Sequence, residues 1–110
     1  IKQEEDKIIK ANLYFNLGVL YMQLDQFAEA EDNFFYAYDL NPEDIEALSG
    51  IAQTFENAEK WRRASKFYRE LIQLEPDNAD HYKGMARVLI KQGDMDGATK
   101  YFDKAKKLGG

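Results

Sequence analysis

The sequence predicts an all-α protein, an elongated array of three stacked helix pairs with about six helices in all. Three observations carry this. Pro42 and Pro76, then Ala30, Ala64 and Ala98, then Phe34, Tyr68 and Phe102 recur at a fixed step of 34 residues, and a period of that size marks a solenoid in which no unit buries its apolar face alone. Within each unit, apolar and small residues stand three and four apart, as in Tyr14, Leu17, Gly18 and Tyr21, which gathers them on one face of a helix. Asn41-Pro42 and Glu75-Pro76 punctuate the pattern, because the residue before a proline is pushed out of helical geometry.

The elements follow in order. Residues 1–10 lie outside the repeat, and Glu4, Glu5, Asp6 and Lys7 read as an early helical turn, so this stretch is expected to extend the first helix at its N-terminus. Three units are expected at 11–44, 45–78 and 79–110. Their first helices align Tyr14, Leu48 and Tyr82, then Leu17, Ile51 and Met85, then Gly18, Ala52 and Ala86, then Tyr21, Phe55 and Leu89. Asp25-Gln26, Glu59-Lys60 and Gln92-Gly93-Asp94 supply the turn inside each pair. The second helices align the alanine column and the aromatic column already named, then Ala37, Leu71 and Ala105. All of these helix columns, and not the turns, are expected to be core. The small residues let paired backbones approach while rings fill the space beside them, and Gly18 is tolerated for closeness, since glycine inside a helix costs about 1 kcal/mol against alanine. Asp44 and Asn78 are placed to cap the helices that follow the prolines.

Eight columns in three units resemble the tetratricopeptide repeat, whose signature runs from an aromatic through a Leu-Gly pair and a Tyr to Ala, Phe and Pro. The first unit shows Tyr14, Leu17, Gly18, Tyr21, Ala30, Phe34 and Pro42, departing from the signature only by Tyr for Trp, and the likeness extends over residues 11–110. The resemblance implies a right-handed solenoid of helical hairpins acting as a non-enzymatic scaffold or adaptor, which binds a partner peptide or helix in a concave groove built by the first helices. The lining it implies is Asn12, Phe15, Asn16, Val19, Met22 and Gln23 in the first unit. The second gives Glu46, Ser49, Gly50, Gln53, Glu56 and Asn57, and the third Asp80, Lys83, Gly84, Arg87, Ile90 and Lys91. Ser49, Gly50 and Gly84 are small and are expected to leave room in the middle. Such a groove grades from apolar to basic, matching a partner that is apolar at one end and acidic at the other. Relatives that clamp the C-terminal carboxylate of large chaperones use Lys and Asn in the first unit, Asn in the second, and Lys and Arg in the third. Phe15, Val19, Gly50, Asp80 and Gly84 occupy those places here, so that clamp is not expected.

Composition narrows the classes further. A chain of 110 residues is one domain, able to bury roughly two thirds of its unfolded surface. It has no cysteine, which removes disulfide and thiolate chemistry and leaves the redox compartment open. No apolar run approaches the ~20 residues of a membrane span. Residues 1–46 carry a net charge of −8 and residues 47–110 a net of +3. Such asymmetry can steer a partner or favour head-to-tail association, and it can equally serve solubility alone.

No cofactor is expected. His81 is the only histidine and falls in the column of Leu13 and Ala47, which faces the preceding unit, so it reads as a satisfied interface residue. With no second histidine and no cysteine there is no transition-metal set. Asp94, Asp96 and Gly97 glance at a calcium loop but lack its remaining oxygen ligands and closing Glu, and the repeat phase puts them at a helix start. Trp61, Arg62, Arg63, Lys66 and Arg69 form a basic stretch, yet the acidic total weighs against nucleic acid as a partner.

The ends of the array differ. Ile9, Leu13 and Leu20 would face a preceding element and form an apolar strip, whereas the column of Tyr38 and Ile72 becomes Lys106 at the far end. A lysine where a neighbour should dock reads as a polar cap, so the third unit is expected to be the last. The alternative function is therefore a homo-oligomerising structural module that uses the apolar N-terminal side.

Overall fold

A computed structural model describes residues 1–110, all of them in or between six helices. These are α1 (Lys2–Gln23), α2 (Phe27–Leu40), α3 (Ile45–Asn57), α4 (Trp61–Leu74), α5 (Ala79–Lys91) and α6 (Met95–Lys107). Each helix packs on its neighbour in sequence, so the hairpins α1/α2, α3/α4 and α5/α6 stack in order into a body of 48 × 29 × 18 Å. The all-helical array of hairpins predicted by the 34-residue period is the fold observed.

The helix ends show how local sequence sets the repeat. Asp25, Glu59 and Gly93 occupy one repeat position and all adopt positive φ, at 58°, 62° and 85°. Around each, the two backbone bonds of a Schellman cap recur, as in Gln26 N–H to the Tyr21 carbonyl at 2.9 Å and Asp25 N–H to the Met22 carbonyl at 3.0 Å. The second connection is capped by side chains: Asp44 accepts from the Glu46 and Ala47 amides, and Asn78 accepts from the Asp80 amide. Asp94 accepts from the Gly97 amide at 2.8 Å, which gives this acidic turn a capping role at the start of α6.

Between hairpins, a ring of α2 and a ring of α4 are wedged against the first helices. A Cβ added to Gly18 would lie 2.7 Å from the Phe34 ring, and one added to Gly50 would lie 2.6 Å from it. Tyr68 stands in the same way against Gly84. Gly50 and Gly84 therefore also serve close approach of the stacked hairpins, a role beyond the room they were expected to leave in the groove. Phe35, Phe55 and Phe67 complete the seam between the first two units, with Phe55 and Phe67 stacked at 5.7 Å and Phe35 edge-on to Phe67 at 5.8 Å.

Among the expected core residues Tyr14, Tyr21 and Leu89 are half-buried, and two are exposed. Leu17 is 41 % exposed although Ile51 and Met85 in its column are 0 % and 3 %. Those two pack on the hairpin before them, and residues 1–110 hold no such hairpin before α1. Phe102 is 41 % exposed although Phe34 and Tyr68 are 0 % and 3 %, because no following glycine closes over it.

Candidate functional site

The first helices turn their free sides to a concave cleft of about 580 Å³. Phe15, Val19 and Met22 of α1 form an apolar wall, with Phe15 seated 5.6 Å from the Phe34 ring. Ser49 and Gly50 of α3 form a low floor, and because Gly50 has no side chain the buried Phe34 ring packs directly behind it. Glu46 and Asp80 mark one rim and Gln53 and Arg87 the opposite side. Thr54, fully buried, donates its hydroxyl to Met22 Sδ at 3.5 Å and ties the apolar wall to α3.

The expected groove residues divide into three sets. Phe15, Val19, Met22, Glu46, Ser49, Gln53 and Arg87 line this cleft. Glu56 and Lys91 line a neighbouring hollow of about 380 Å³ beside Trp61 and Ile90, which Arg87 shares. Asn12 and Asn16 lie exposed on α1 and Lys83 half-buried on α5, outside both hollows. Ile9, Leu13 and Leu20 are 57 %, 58 % and 51 % exposed, on a different face of α1.

Electrostatics alters the basic end. Arg87 Nε donates to Glu56 Oε2 at 2.8 Å and Nη2 to Oε1 at 3.2 Å, while the Tyr68 hydroxyl donates to Oε1 at 2.6 Å. Burial first, then the hydrogen bond to Glu56 and the charge of that carboxylate, push the Tyr68 phenol above the ordinary tyrosine value. The hydrogen bond to Glu56 likewise raises Arg87, so the guanidinium is held as a committed ion. Arg87 is thus not the free cation expected at this end, and Lys83 and Lys91 are the lysines of α5 left without a side-chain partner. At the other rim, His81 Nε2 meets Glu75 Oε1 at 2.8 Å, and Asn78 Nδ2 donates to the same oxygen at 3.1 Å. These two bonds hold the Glu75 carboxyl below its ordinary value. His81, 5 % exposed at the contact with the preceding hairpin, is a satisfied interface residue.

Two family models, each described as a tetratricopeptide repeat, match residues 11–44 and 57–108. The chain belongs to the tetratricopeptide repeat family. Solved structures agree on the fold: a crystal structure of MamA superposes with a TM-score of 0.87 at 24 % identity, over 91 % of this chain and 58 % of that one. The TPR2B domain of yeast Sti1, in a complex with pHsp70, gives 0.85 at 19 % identity, over 91 % and 80 %. Among curated relatives, the uncharacterized protein ycf37 of Pyropia yezoensis is 28 % identical over 67 % of this chain and 42 % of its own length. Protein unc-45 homolog B of Mus musculus is 30 % identical over 80 % of this chain. The chain spans less than half of the first of these and 10 % of the second.

Seen as a tetratricopeptide repeat, the cleft holds several residues outside the expected lining, some on second helices or loops and some on another face of the first helices. Phe34, Ile45, Tyr68, Asn78 and His81 all contribute to its lining. A glycine column at Gly50 and Gly84 was the available signal for Phe34 and Tyr68, since a helix face without side chains shows whatever packs behind it. Nothing in the spacing points to the Glu56 and Arg87 pair, 31 residues apart and on different hairpins.

Proposed function

We propose that this tetratricopeptide repeat protein is a non-enzymatic interaction scaffold that receives a short peptide or helix of a partner protein in its concave cleft. The observation that carries the reading is the open apolar wall of Phe15, Val19 and Met22 beside the low floor of Ser49 and Gly50. An apolar anchor on the partner fits that wall, and polar groups on either side of it meet Ser49 and Gln53. Acidic residues further along the partner would meet Lys83 and Lys91, since Arg87 is engaged by Glu56. The carboxylate clamp of chaperone-binding relatives is not reproduced, because Phe15, Val19, Gly50, Asp80 and Gly84 stand at its positions.

The test is selection of peptides from a displayed random library against the chain, followed by titration of the winners against two variants. Ser49→Arg fills the cleft and should abolish binding of peptides that carry an apolar anchor. Arg69→Ala, on the exposed side of α4, should leave it unchanged. Winners that bind Ser49→Arg as tightly as the parent chain would remove the cleft as the docking site.

A further inference from the structure

α1 carries a second surface that the peptide reading does not use. Ile9, Leu13, Leu17, Leu20 and Leu24 are 41–58 % exposed and form one stripe, about 150° round the helix from the cleft residues. In the later units the positions matching Leu13 and Leu20 are closed by the hairpin before them: Ala47 and Thr54 are 0 % exposed, His81 5 % and Val88 0 %.

A preceding hairpin of the same kind does not fit on this stripe. The position of Gly50 and Gly84, where the aromatic ring of the previous unit is wedged, is Asn16 in α1. Leu20 is also bulkier than Thr54 and Val88, which hold its position in the observed contacts. Finally, α1 begins at Lys2, whereas α3 and α5 begin directly after short capped loops at Asp44 and Asn78. Nine further residues of helix carry the chain about 13 Å along the axis, away from where a preceding unit would have to lie. The same mismatch applies to head-to-tail stacking of two copies, in which Phe102 would be driven against Asn16. Attraction between the acidic and basic ends favours that arrangement, but exposed charges contribute little per pair, and an overpacked contact opposes it.

We propose that the stripe is the seam of a symmetric dimer in which two α1 helices pair antiparallel. Leu13, Leu17, Leu20 and Leu24 are spaced 4, 3 and 4 apart, a sequence of gaps that reads the same from either end. A second α1 turned end for end therefore presents its leucines in step, as an isologous contact requires. Residues 1–24 carry three acids and three bases, so the seam helix is itself neutral, and the antiparallel arrangement brings Lys7 and Lys10 of one copy toward Asp25 and Glu29 of the other. The stripe from Ile9 to Leu24 is about 23 Å long, which places the contact at the lower end of stable interfaces, roughly 600 Å² per partner. A micromolar dimer is expected.

Sedimentation of the chain from about 1 μM to about 1 mM should show a monomer–dimer equilibrium, and Leu17→Glu should remain monomeric throughout with its helical signal intact. Because the rest of each N-terminal half is acidic, added salt should tighten the symmetric dimer, whereas it would loosen a head-to-tail one. The absence of native cysteines lets single cysteines report the geometry. Leu13→Cys mixed with Leu24→Cys should form a crosslinked dimer on oxidation, and Leu13→Cys alone should not. A chain that stays monomeric, dimers that survive Leu17→Glu, loosening by salt, or efficient self-crosslinking of Leu13→Cys would each overturn the proposal. Peptide binding in the cleft is independent of all these outcomes and should persist in Leu17→Glu.

Discussion

Arg87 grips Glu56 with two hydrogen bonds, at 2.8 and 3.2 Å, across the joint between the second and third hairpins. The Glu56 side chain is 17 % exposed and that of Arg87 51 %, so the pair is only partly shielded from water. Its coupling energy is accordingly expected near 1 kcal/mol rather than the several found for fully buried pairs. A double-mutant cycle with Glu56→Gln and Arg87→Gln, read by urea unfolding, measures it directly. Additive single effects would show that the two side chains are neighbours without being partners.

Gly50→Ala sets two known effects against each other. Alanine gains about 1 kcal/mol in a helix interior, but its Cβ would sit 2.6 Å from the buried Phe34 ring, and overpacking costs about 1–3 kcal/mol. The steric term should win, leaving the variant less stable by about 1 kcal/mol. In a Phe34→Leu background, where the obstructing ring is gone, the penalty of Gly50→Ala should shrink even though total stability is lower. Gly50→Ala equal to or above the parent in urea midpoint would contradict the wedge.

Acid should weaken the contact between the second and third hairpins. Glu75 is held below its ordinary value of 4.5 by hydrogen bonds from His81 and Asn78. A carboxyl depressed in the folded state contributes stability above its unfolded pKa and loses that contribution as pH falls through the folded one. The melting temperature should therefore decline as pH is lowered from about 4.5, and Glu75→Gln should flatten this part of the profile. Superimposable acid limbs for the two proteins would refute the assignment to Glu75.

Glu59 bears a left-handed backbone, φ 62°, at the position where the third hairpin has Gly93. A side chain there costs about 1 kcal/mol that glycine avoids. Glu59→Gly should therefore raise stability by about 0.5–1 kcal/mol in spite of the added flexibility of the unfolded chain. The reciprocal Gly93→Ala should lower it, although nothing lies within 4 Å of the new Cβ. Thermal melts of the two variants moving in the same direction would remove backbone conformation as the cause.

Much of this architecture could be read from residue spacing because it is encoded locally. Prolines end helices, Asp44 and Asn78 cap them within three residues, and the positive-φ turns recur at the predicted loops. The period also revealed the core columns, but it could not say which end of each column lacks a neighbour, and so missed the exposure of Leu17 and Phe102. For the cleft, the first-helix register brought Phe15, Val19, Met22, Glu46, Ser49, Gln53 and Arg87 into one concavity. Its floor and its charge depend on contacts between hairpins, such as Phe34 behind Gly50 and Glu56 against Arg87, and a repeat alignment treats each unit as though it stood alone.

Only α3/α4 has a hairpin on both sides. Opening is therefore easiest at the two outer hairpins and proceeds inward, with amide exchange slowest in the middle. The cleft draws its walls from α1, α3 and α5 at once, so a molecule seated there would act as a splint across all three, converting a body that frays from its extremities into one that must let go everywhere together.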